Sequence, residues 1–148
     1  MTTDTAVTRP LIVIIDDDDT LTRMLSLELE AAGYDVQVAK TAAEGMALIK
    51  EQSPALALLD FHLSDADGLT VLNGLHKTAK KQPDWQLPPI LMMTNAYEVD
   101  IMNKAMELGV HDYILKSDVR LDDIVKMVAT YVAPGRAGAQ NSAQAADS

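Results

Sequence analysis

Four consecutive carboxylates follow the most apolar run near the start of the chain. The run is Leu11–Ile15, LIVII, and it leads directly into Asp16–Asp19. Clustered carboxylates repel one another unless a cation or a proton lies between them. Their oxygen atoms are the hard ligands that Mg²⁺ prefers. The stretch therefore predicts a cation site or a pair of reactive acids.

Three other polar residues also stand directly after apolar runs. Asp60 follows ALALL, Thr94 follows ILMM and Lys116 follows DYIL. Acids, a hydroxyl and an ammonium group together suit phosphoryl transfer to a carboxylate. A cation cancels charge on the phosphoryl oxygens, and the hydroxyl and ammonium hold the remaining oxygens. A carboxylate nucleophile would form an acyl phosphate.

The elements that must position these residues alternate along the chain. Short apolar runs without polar alternation are typical of strands buried on both faces, and the runs between them have helical spacing. Such alternation predicts an α/β fold, a doubly wound parallel sheet with helices on both faces, whose strands end at one ligand-binding edge. The predicted strands are 11–15, 34–39, 55–59, 90–93 and 112–115, and the predicted helices are about 20–32, 41–52, 69–80, 98–108 and 118–132.

Composition limits the classes of partner. A chain of 148 residues is long enough for one well-buried domain, predicted at 10–133 between a flexible arm, 1–9, and a disordered tail, 134–148. A net charge of -10 argues against direct binding to nucleic acid or an anionic membrane. Without an apolar run of membrane-spanning length or a signal peptide pattern, we expect a cytoplasmic protein with no membrane insertion.

These residues, in this order and spacing, carry a family resemblance. From Leu11 to about Val132 the chain resembles a response-regulator receiver domain of two-component signalling. The matching features are the acid pair Asp16-Asp17, Asp60 followed by Asp67-Gly68, Thr94, and Lys116 after DYIL. The resemblance implies a flavodoxin-like (βα)5 fold, strand order 2-1-3-4-5, in a stand-alone receiver.

The resemblance also implies a reaction. Asp60 would be the phospho-acceptor, taking the group from a phosphohistidine on a sensor histidine kinase or phosphotransfer protein. Mg²⁺, or Mn²⁺, would be held by Asp16, Asp17, Asp60 and the backbone carbonyl of His62. Such a protein is not an enzyme with a separate substrate, although it assists its own phosphorylation and dephosphorylation.

A switch is implied as well. After phosphorylation the Thr94 hydroxyl would turn toward a phosphoryl oxygen, and Tyr113 would rotate into the space that it leaves. This would alter the face built by the fourth helix, the fifth strand and the fifth helix, with Tyr97 on or near it. A downstream protein would bind that face, and whether the chain forms a homodimer stays open.

Two positions depart from the family pattern. Ser117 stands where a proline usually follows the lysine, often with a cis bond, so the geometry of the Lys116–Ser117 bond stays open and the position of Lys116 depends on it. Ser64 also replaces a common proline, which predicts a less rigid loop after Asp60. By analogy, His62 and Ala96 would flank the path of the hydrolytic water.

Other interpretations remain open. IIDDDDT also fits a haloacid-dehalogenase-type phosphatase, with Asp16 as nucleophile and Asp18 as acid/base, supported by Thr94 and Lys116 and by Asp122-Asp123 as a last acid pair. That scheme gives Asp60 no role, and Asp122-Asp123 lies at a helix start. Asp18 and Asp19 also suit a structural role at a helix N-terminus.

Two further points stay undecided at this stage. Ser117 keeps open a binding module that works without phosphorylation. Trp85 in the proline-rich connection is either a lid on the core or a contact residue.

Overall fold

The apolar runs form one parallel sheet. The computed structural model describes residues 8–95 and 98–135, and in this part of the chain five strands alternate with five helices. The sheet order is β2-β1-β3-β4-β5, and every pairing is parallel. The predicted fold class and strand order are confirmed. The elements are β1 (Leu11–Ile15), α1 (Asp19–Ala31), β2 (Asp35–Ala39), α2 (Ala42–Gln52), β3 (Leu56–Asp60), α3 (Gly68–Lys81), β4 (Ile90–Thr94), α4 (Val99–Glu107), β5 (Asp112–Leu115) and α5 (Leu121–Tyr131).

Two apolar layers cover the two faces of the sheet. Successive strand residues point to opposite faces, so each strand contributes to both layers. One layer joins Val13, Leu59 and Met92 to α2, α3 and α4, and the other joins Ile14, Leu58 and Ile114 to α1 and α5. All residues of β3 and β4 are buried. The central strands therefore hold the carboxyl edge of the sheet rigidly.

Helix caps explain most of the helix starts. Asp18 caps α1 by accepting a hydrogen bond from the Leu21 amide, as predicted for that acid. Thr41 caps α2 by accepting from the Glu44 amide at 3.1 Å. The carboxylate of Glu44 accepts from the Lys40 amide at 2.9 Å, one residue before the partner of a standard capping box.

The last helix starts later than predicted. It begins at Leu121 and not at Asp118, because residues 116–118 form a turn in which the Asp118 amide donates to the Leu115 carbonyl at 3.0 Å. Val119 then packs against the layer under α1 and α5. Trp85 is partly buried and packs against the other layer, so it serves as a lid on the core.

The two ends of the domain meet at the edge opposite the acids. Arg9 donates to the carbonyls of Glu30 and Tyr34 at 2.5 and 2.8 Å. The Gly135 amide donates to the Gly33 carbonyl at 2.8 Å. Both contacts involve residues that lie just outside the predicted bounds of 10–133. Most of the predicted arm and tail lies outside the described residues, as do Ala96 and Tyr97.

Candidate phosphoryl-transfer site

Two neighbouring strands, β1 and β3, bring the key acids together. Asp16 directly follows β1, where its amide donates to the Ala39 carbonyl at 2.9 Å, and Asp60 is the last residue of the neighbouring β3. Both are buried, with 1% and 4% of their surface exposed. A charge so deeply buried is unfavourable without a partner, so the fold must supply one.

Asp17 completes an acid cluster. Carboxylate oxygens of Asp16, Asp17 and Asp60 all lie within 4.8 Å of one another, and Asp17 is exposed where the other two are buried. The cluster is therefore open to solvent on the side of Asp17. This set of oxygen donors around one point fits a hard divalent cation such as Mg²⁺.

Lys116 reaches the same point from the edge strand. Its amide donates to the Thr94 carbonyl at 2.8 Å, which ties it to the end of β4. Its Nζ lies 2.6 Å from Asp16 Oδ2 and 3.2 Å from Asp60 Oδ1, and 13% of its side chain is exposed. The Lys116–Ser117 bond is trans, since no peptide bond of the described residues is cis. The serine thus does not keep the lysine from the acids.

The electrostatics of the site follow from this crowding. Burial, and next the charge of Asp16, raise the pKa of Asp60, although Lys116 opposes both effects. Burial alone would lower the pKa of Lys116, but the hydrogen bond to Asp16 and the charges of Asp60 and Asp16 raise it overall. The ammonium is thus held in its charged form, while Asp60 is less acidic than a free aspartate.

Thr94 and Tyr113 lie on one face of the sheet. Thr94 ends β4, is 3% exposed and pairs in register with Leu115. Tyr113 pairs with Met92, two residues earlier, and packs at the border of the same apolar layer. With about 3.3 Å per residue and about 4.8 Å between strands, their backbones are about 8 Å apart. Burial, and next the charge of Glu98, raise the pKa of half-buried Tyr113.

The loop after Asp60 is well anchored in spite of Ser64. The Gly68 amide donates to the Phe61 carbonyl at 2.7 Å, and the Leu63 amide donates to the Ala66 carbonyl at 3.2 Å. His62 and Asp67 face each other across an isolated bridge, and Asp67 caps α3. These contacts hold the loop in place, and a lower rigidity at Ser64 stays a prediction.

One residue of this loop, Asp65, makes a contact that its sequence position does not predict. The carboxylate of Asp65 accepts hydrogen bonds from the amides of Ala42 and Ala43, at 2.8 and 3.1 Å. These two bonds lower the pKa of Asp65. An exposed acid in a turn-rich segment gives no sequence signal for partners more than 20 positions upstream.

The residues specific to the phosphatase interpretation do not assemble. Asp18 is occupied by its cap on α1. Asp122 lies at the start of α5 and pairs with Arg120 at 3.4 Å. Asp60, which has no role in that scheme, is one of the three acids of the cluster. Among the described residues, Asp18 and Asp122 therefore do not join the acid cluster.

Comparison with known proteins is consistent with this site. The model of the response regulator receiver domain matches residues 12–129. The chain is 36% identical over 107 residues to the DNA-binding dual master transcriptional regulator RpaA of Synechocystis sp., covering 72% of this chain and 43% of that protein. It is 32% identical over 114 residues to the acid tolerance regulatory protein ActR of Rhizobium meliloti, covering 77% and 55%. The chain thus spans about half the length of these relatives.

Solved structures agree with the fold. A CheY-like response regulator receiver domain protein from Methanospirillum hungatei superposes with a TM-score of 0.72 at 29% identity, covering 83% of this chain and 93% of that one. The non-phosphorylated HemR receiver domain from Leptospira biflexa gives 0.71 at 27% identity, covering 86% and 97%. No helix in residues 8–95 and 98–135 is long and apolar enough to cross a membrane. The chain belongs to the response regulator receiver domain family.

Proposed function

We propose that this protein is a phospho-accepting response regulator in which Asp60 receives a phosphoryl group from a sensor histidine kinase or phosphotransfer protein. The observation that carries the proposal is the position of Lys116, whose Nζ lies within 3.2 Å of both buried acids at the end of the sheet. An ammonium group in this position pairs with the acids in the unphosphorylated protein and can pair with a phosphoryl oxygen as negative charge builds up there.

The acid cluster would hold a divalent cation. We assign Mg²⁺, or Mn²⁺, to the carboxylates of Asp16, Asp17 and Asp60 and to the backbone carbonyl of His62. When bound, the cation neutralises charge on the phosphoryl oxygens as they approach the acids. The exposed side of the cluster at Asp17 leaves a path for the cation and the phosphodonor.

The transfer itself needs little covalent chemistry from the protein. A carboxylate oxygen of Asp60 attacks phosphorus and forms the acyl phosphate, while the P–N bond of the phosphohistidine breaks and its electron pair stays on the imidazole nitrogen. Asp60 must be ionised to attack. Lys116 opposes the rise in the pKa of Asp60 and so favours the reactive form. Water would later hydrolyse the acyl phosphate, and by family analogy we expect the side chain of His62 to flank its path.

The phosphorylated state would be read through Thr94 and Tyr113. Thr94 lies buried beside Lys116 at the end of β4, close to where a phosphoryl oxygen on Asp60 would sit. We propose that its hydroxyl turns to that oxygen and that Tyr113, on the same face of the sheet, moves inward. This local change would bias the surface of α4, β5 and α5.

That surface has apolar groups for a protein partner. Val99 and Met106 on α4 are 57% and 52% exposed. A downstream protein, or a second copy of the chain in a homodimer, could bind there. RpaA is named as DNA-binding, but the net charge of -10 makes direct DNA binding by this chain unfavourable. We propose a cytoplasmic location, in line with the lack of a signal peptide pattern in the sequence.

Mass spectrometry of the intact protein tests the proposal. The protein and the variants Asp60→Asn and Asp16→Asn are incubated with Mg²⁺ and acetyl phosphate. We expect a labile phosphoryl adduct that Asp60→Asn abolishes. An adduct that survives in Asp60→Asn but requires Asp16 would favour the phosphatase alternative. No adduct at all would favour a receiver that binds its partner without phosphorylation.

A further inference from the structure

We propose that Asp65 is a positioning residue for the cation and phosphorylation site, acting through a tether between the loop of residues 61–67 and the N-terminus of α2. The inference rests on the proposed function and adds a residue to it. Asp65 touches neither Asp60 nor Lys116 in the hydrogen bonds and ion pairs of the described residues. Its effect would reach the site through the backbone of the loop.

The tether is a two-pronged contact between distant segments. Oδ1 of Asp65 accepts from the Ala42 amide at 2.8 Å, and Oδ2 accepts from the Ala43 amide at 3.1 Å. Both amides belong to the first turn of α2, where backbone donors have no partner inside the helix. A carboxylate is also favoured at this end by the helix dipole. The contact thus joins complementary groups from segments more than 20 residues apart.

The loop so tethered is the one that leaves Asp60. It begins at Phe61, contains the His62 carbonyl assigned to the cation, and ends at Asp67, which caps α3 by accepting from the Thr70 amide at 2.8 Å. Asp67 therefore fixes one end of the loop to α3, and Asp65 fixes its outer part to α2. Leu63 and Ala66 add apolar packing against the core.

The tether also has a local reason in the sequence. Ser64 has a freer backbone than a proline would have at that position. A loop without that covalent restraint needs noncovalent ones, and the two hydrogen bonds of Asp65 on the next residue supply them. A loop held in advance spends less binding free energy on ordering when the cation arrives.

A matched pair of substitutions separates this role from simple helix capping. Thr41→Ala removes the internal cap of α2 on the Glu44 amide, at 3.1 Å, and leaves the loop tether intact. Asp65→Ala removes the hydrogen bonds to the same helix end together with the tether. Asp65→Asn keeps one carbonyl oxygen as acceptor and should be intermediate.

The measurement is the binding of Mn²⁺ alone, followed by the electron paramagnetic resonance signal of the free ion, with competition by Mg²⁺. We expect Asp65→Ala to raise the dissociation constant about 10-fold, the lower limit seen for residues that support metal ligands. Asp65→Asn should raise it about 3-fold, between Asp65→Ala and wild type. Thr41→Ala should leave it unchanged, and rates of phosphorylation by acetyl phosphate should follow the same order.

Two failures are distinguishable. If wild type binds Mn²⁺ and is phosphorylated, but Asp65→Ala behaves as Thr41→Ala does, the positioning role is wrong and the proposed function stands. If wild type itself neither binds Mn²⁺ nor takes up phosphate, the proposed function is wrong and the inference about Asp65 is overturned with it.

Discussion

Two ion pairs of the same length make a direct test of what burial does to the site. The Lys116–Asp16 pair and the Lys40–Asp19 pair each have a nitrogen–oxygen distance of 2.6 Å. The side chains of the first pair are 13% and 0% exposed, and those of the second are 60% and 65% exposed. Replacing each lysine by methionine removes the charge and keeps most of the side-chain length. We expect very different costs.

The cost of Lys116→Met follows from what it leaves behind. At an effective dielectric constant of about 20, the Coulomb attraction between Lys116 and Asp60 alone, at 3.2 Å, is about 5 kcal/mol before the cost of desolvation. Removal of the lysine leaves two buried carboxylates and a third within 4.8 Å without their counter-charge. Loss of one partner from a buried pair typically costs about 3 to 5 kcal/mol. That is a large fraction of the stability of a domain of this size.

The exposed pair should behave differently. Water screens both of its charges, and such pairs contribute little to stability. Urea unfolding of wild type, Lys116→Met and Lys40→Met at pH 8 without divalent cations should therefore show a loss of about 3 to 5 kcal/mol for Lys116→Met, as for a broken buried pair, and no resolvable loss for Lys40→Met. The slope of the unfolding curve should be unchanged, since the unfolded surface is the same.

The loss of stability in Lys116→Met should also depend on pH and on Mg²⁺. Protonation of an acid relieves the repulsion, so the cost of Lys116→Met should shrink at pH 5. Mg²⁺ supplies the lost positive charge, so it should stabilise Lys116→Met more than wild type and reduce the difference between them; at 100 times its dissociation constant for the variant, it should stabilise the variant itself by about 2.7 kcal/mol. Equal losses for the two variants, or a loss for Lys116→Met that depends on neither pH nor Mg²⁺, would refute the view that Lys116 compensates a buried acid cluster.

Three other predictions concern Asp60 and Thr94. Without divalent cations, Asp60→Asn should raise the free energy of unfolding by about 1 to 2 kcal/mol in a thermal or urea melt. The reason is that burial and the charge of Asp16 raise the pKa of Asp60, so its ionised form destabilises the fold. A lower stability of Asp60→Asn would contradict this. The rate of phosphorylation by acetyl phosphate should fall as the pH is lowered through the pKa of Asp60, which is raised above its usual value. Lys116→Met should move that fall to higher pH, because the lysine opposes the rise in the pKa. The same pH dependence in wild type and Lys116→Met would exclude electrostatic coupling between Lys116 and Asp60. Thr94→Ala should still be phosphorylated, but the change in partner affinity on phosphorylation, about 5- to 150-fold for a typical coupling, should vanish in a titration of the partner.

The sequence was sufficient for the fold and for which residues meet at the end of the sheet. Buried strands such as β3 and β4 have continuous apolar runs, so their ends, and with them Asp60 and Thr94, can be located without coordinates. Asp16 and Lys116 follow in the same way, since parallel strands end at one edge. The family resemblance then assigned the roles, which spacing alone left open between a receiver and a phosphatase.

What could not be predicted depends on contacts between distant segments. Asp65 carries no sign that its partners are the amides of Ala42 and Ala43. Aspartate is common at helix starts, so Asp118 predicts one there. However, the turn after Lys116 and the packing of Val119 place the first residue of α5 at Leu121. Because serine and not proline follows Lys116, the sequence alone does not show whether the lysine reaches the acids. Its ion pairs with Asp16 and Asp60, at 2.6 and 3.2 Å, show that it does.

The charges of the site set a condition for the proposed phosphorylation. Asp16, Asp17 and Asp60 together carry three negative charges when ionised, and Lys116 supplies one positive charge. A phosphoryl group on Asp60 would bring about 1.5 to 2 further negative charges to the same edge. One ammonium group cannot offset both, which is why the proposed function includes a divalent cation. The phosphorylated state would therefore be stable only while the cation, Lys116 and the Thr94 hydroxyl all contact the new phosphoryl oxygens. Because the charges are offset only by these three contacts, hydrolysis can return the site to its unphosphorylated state.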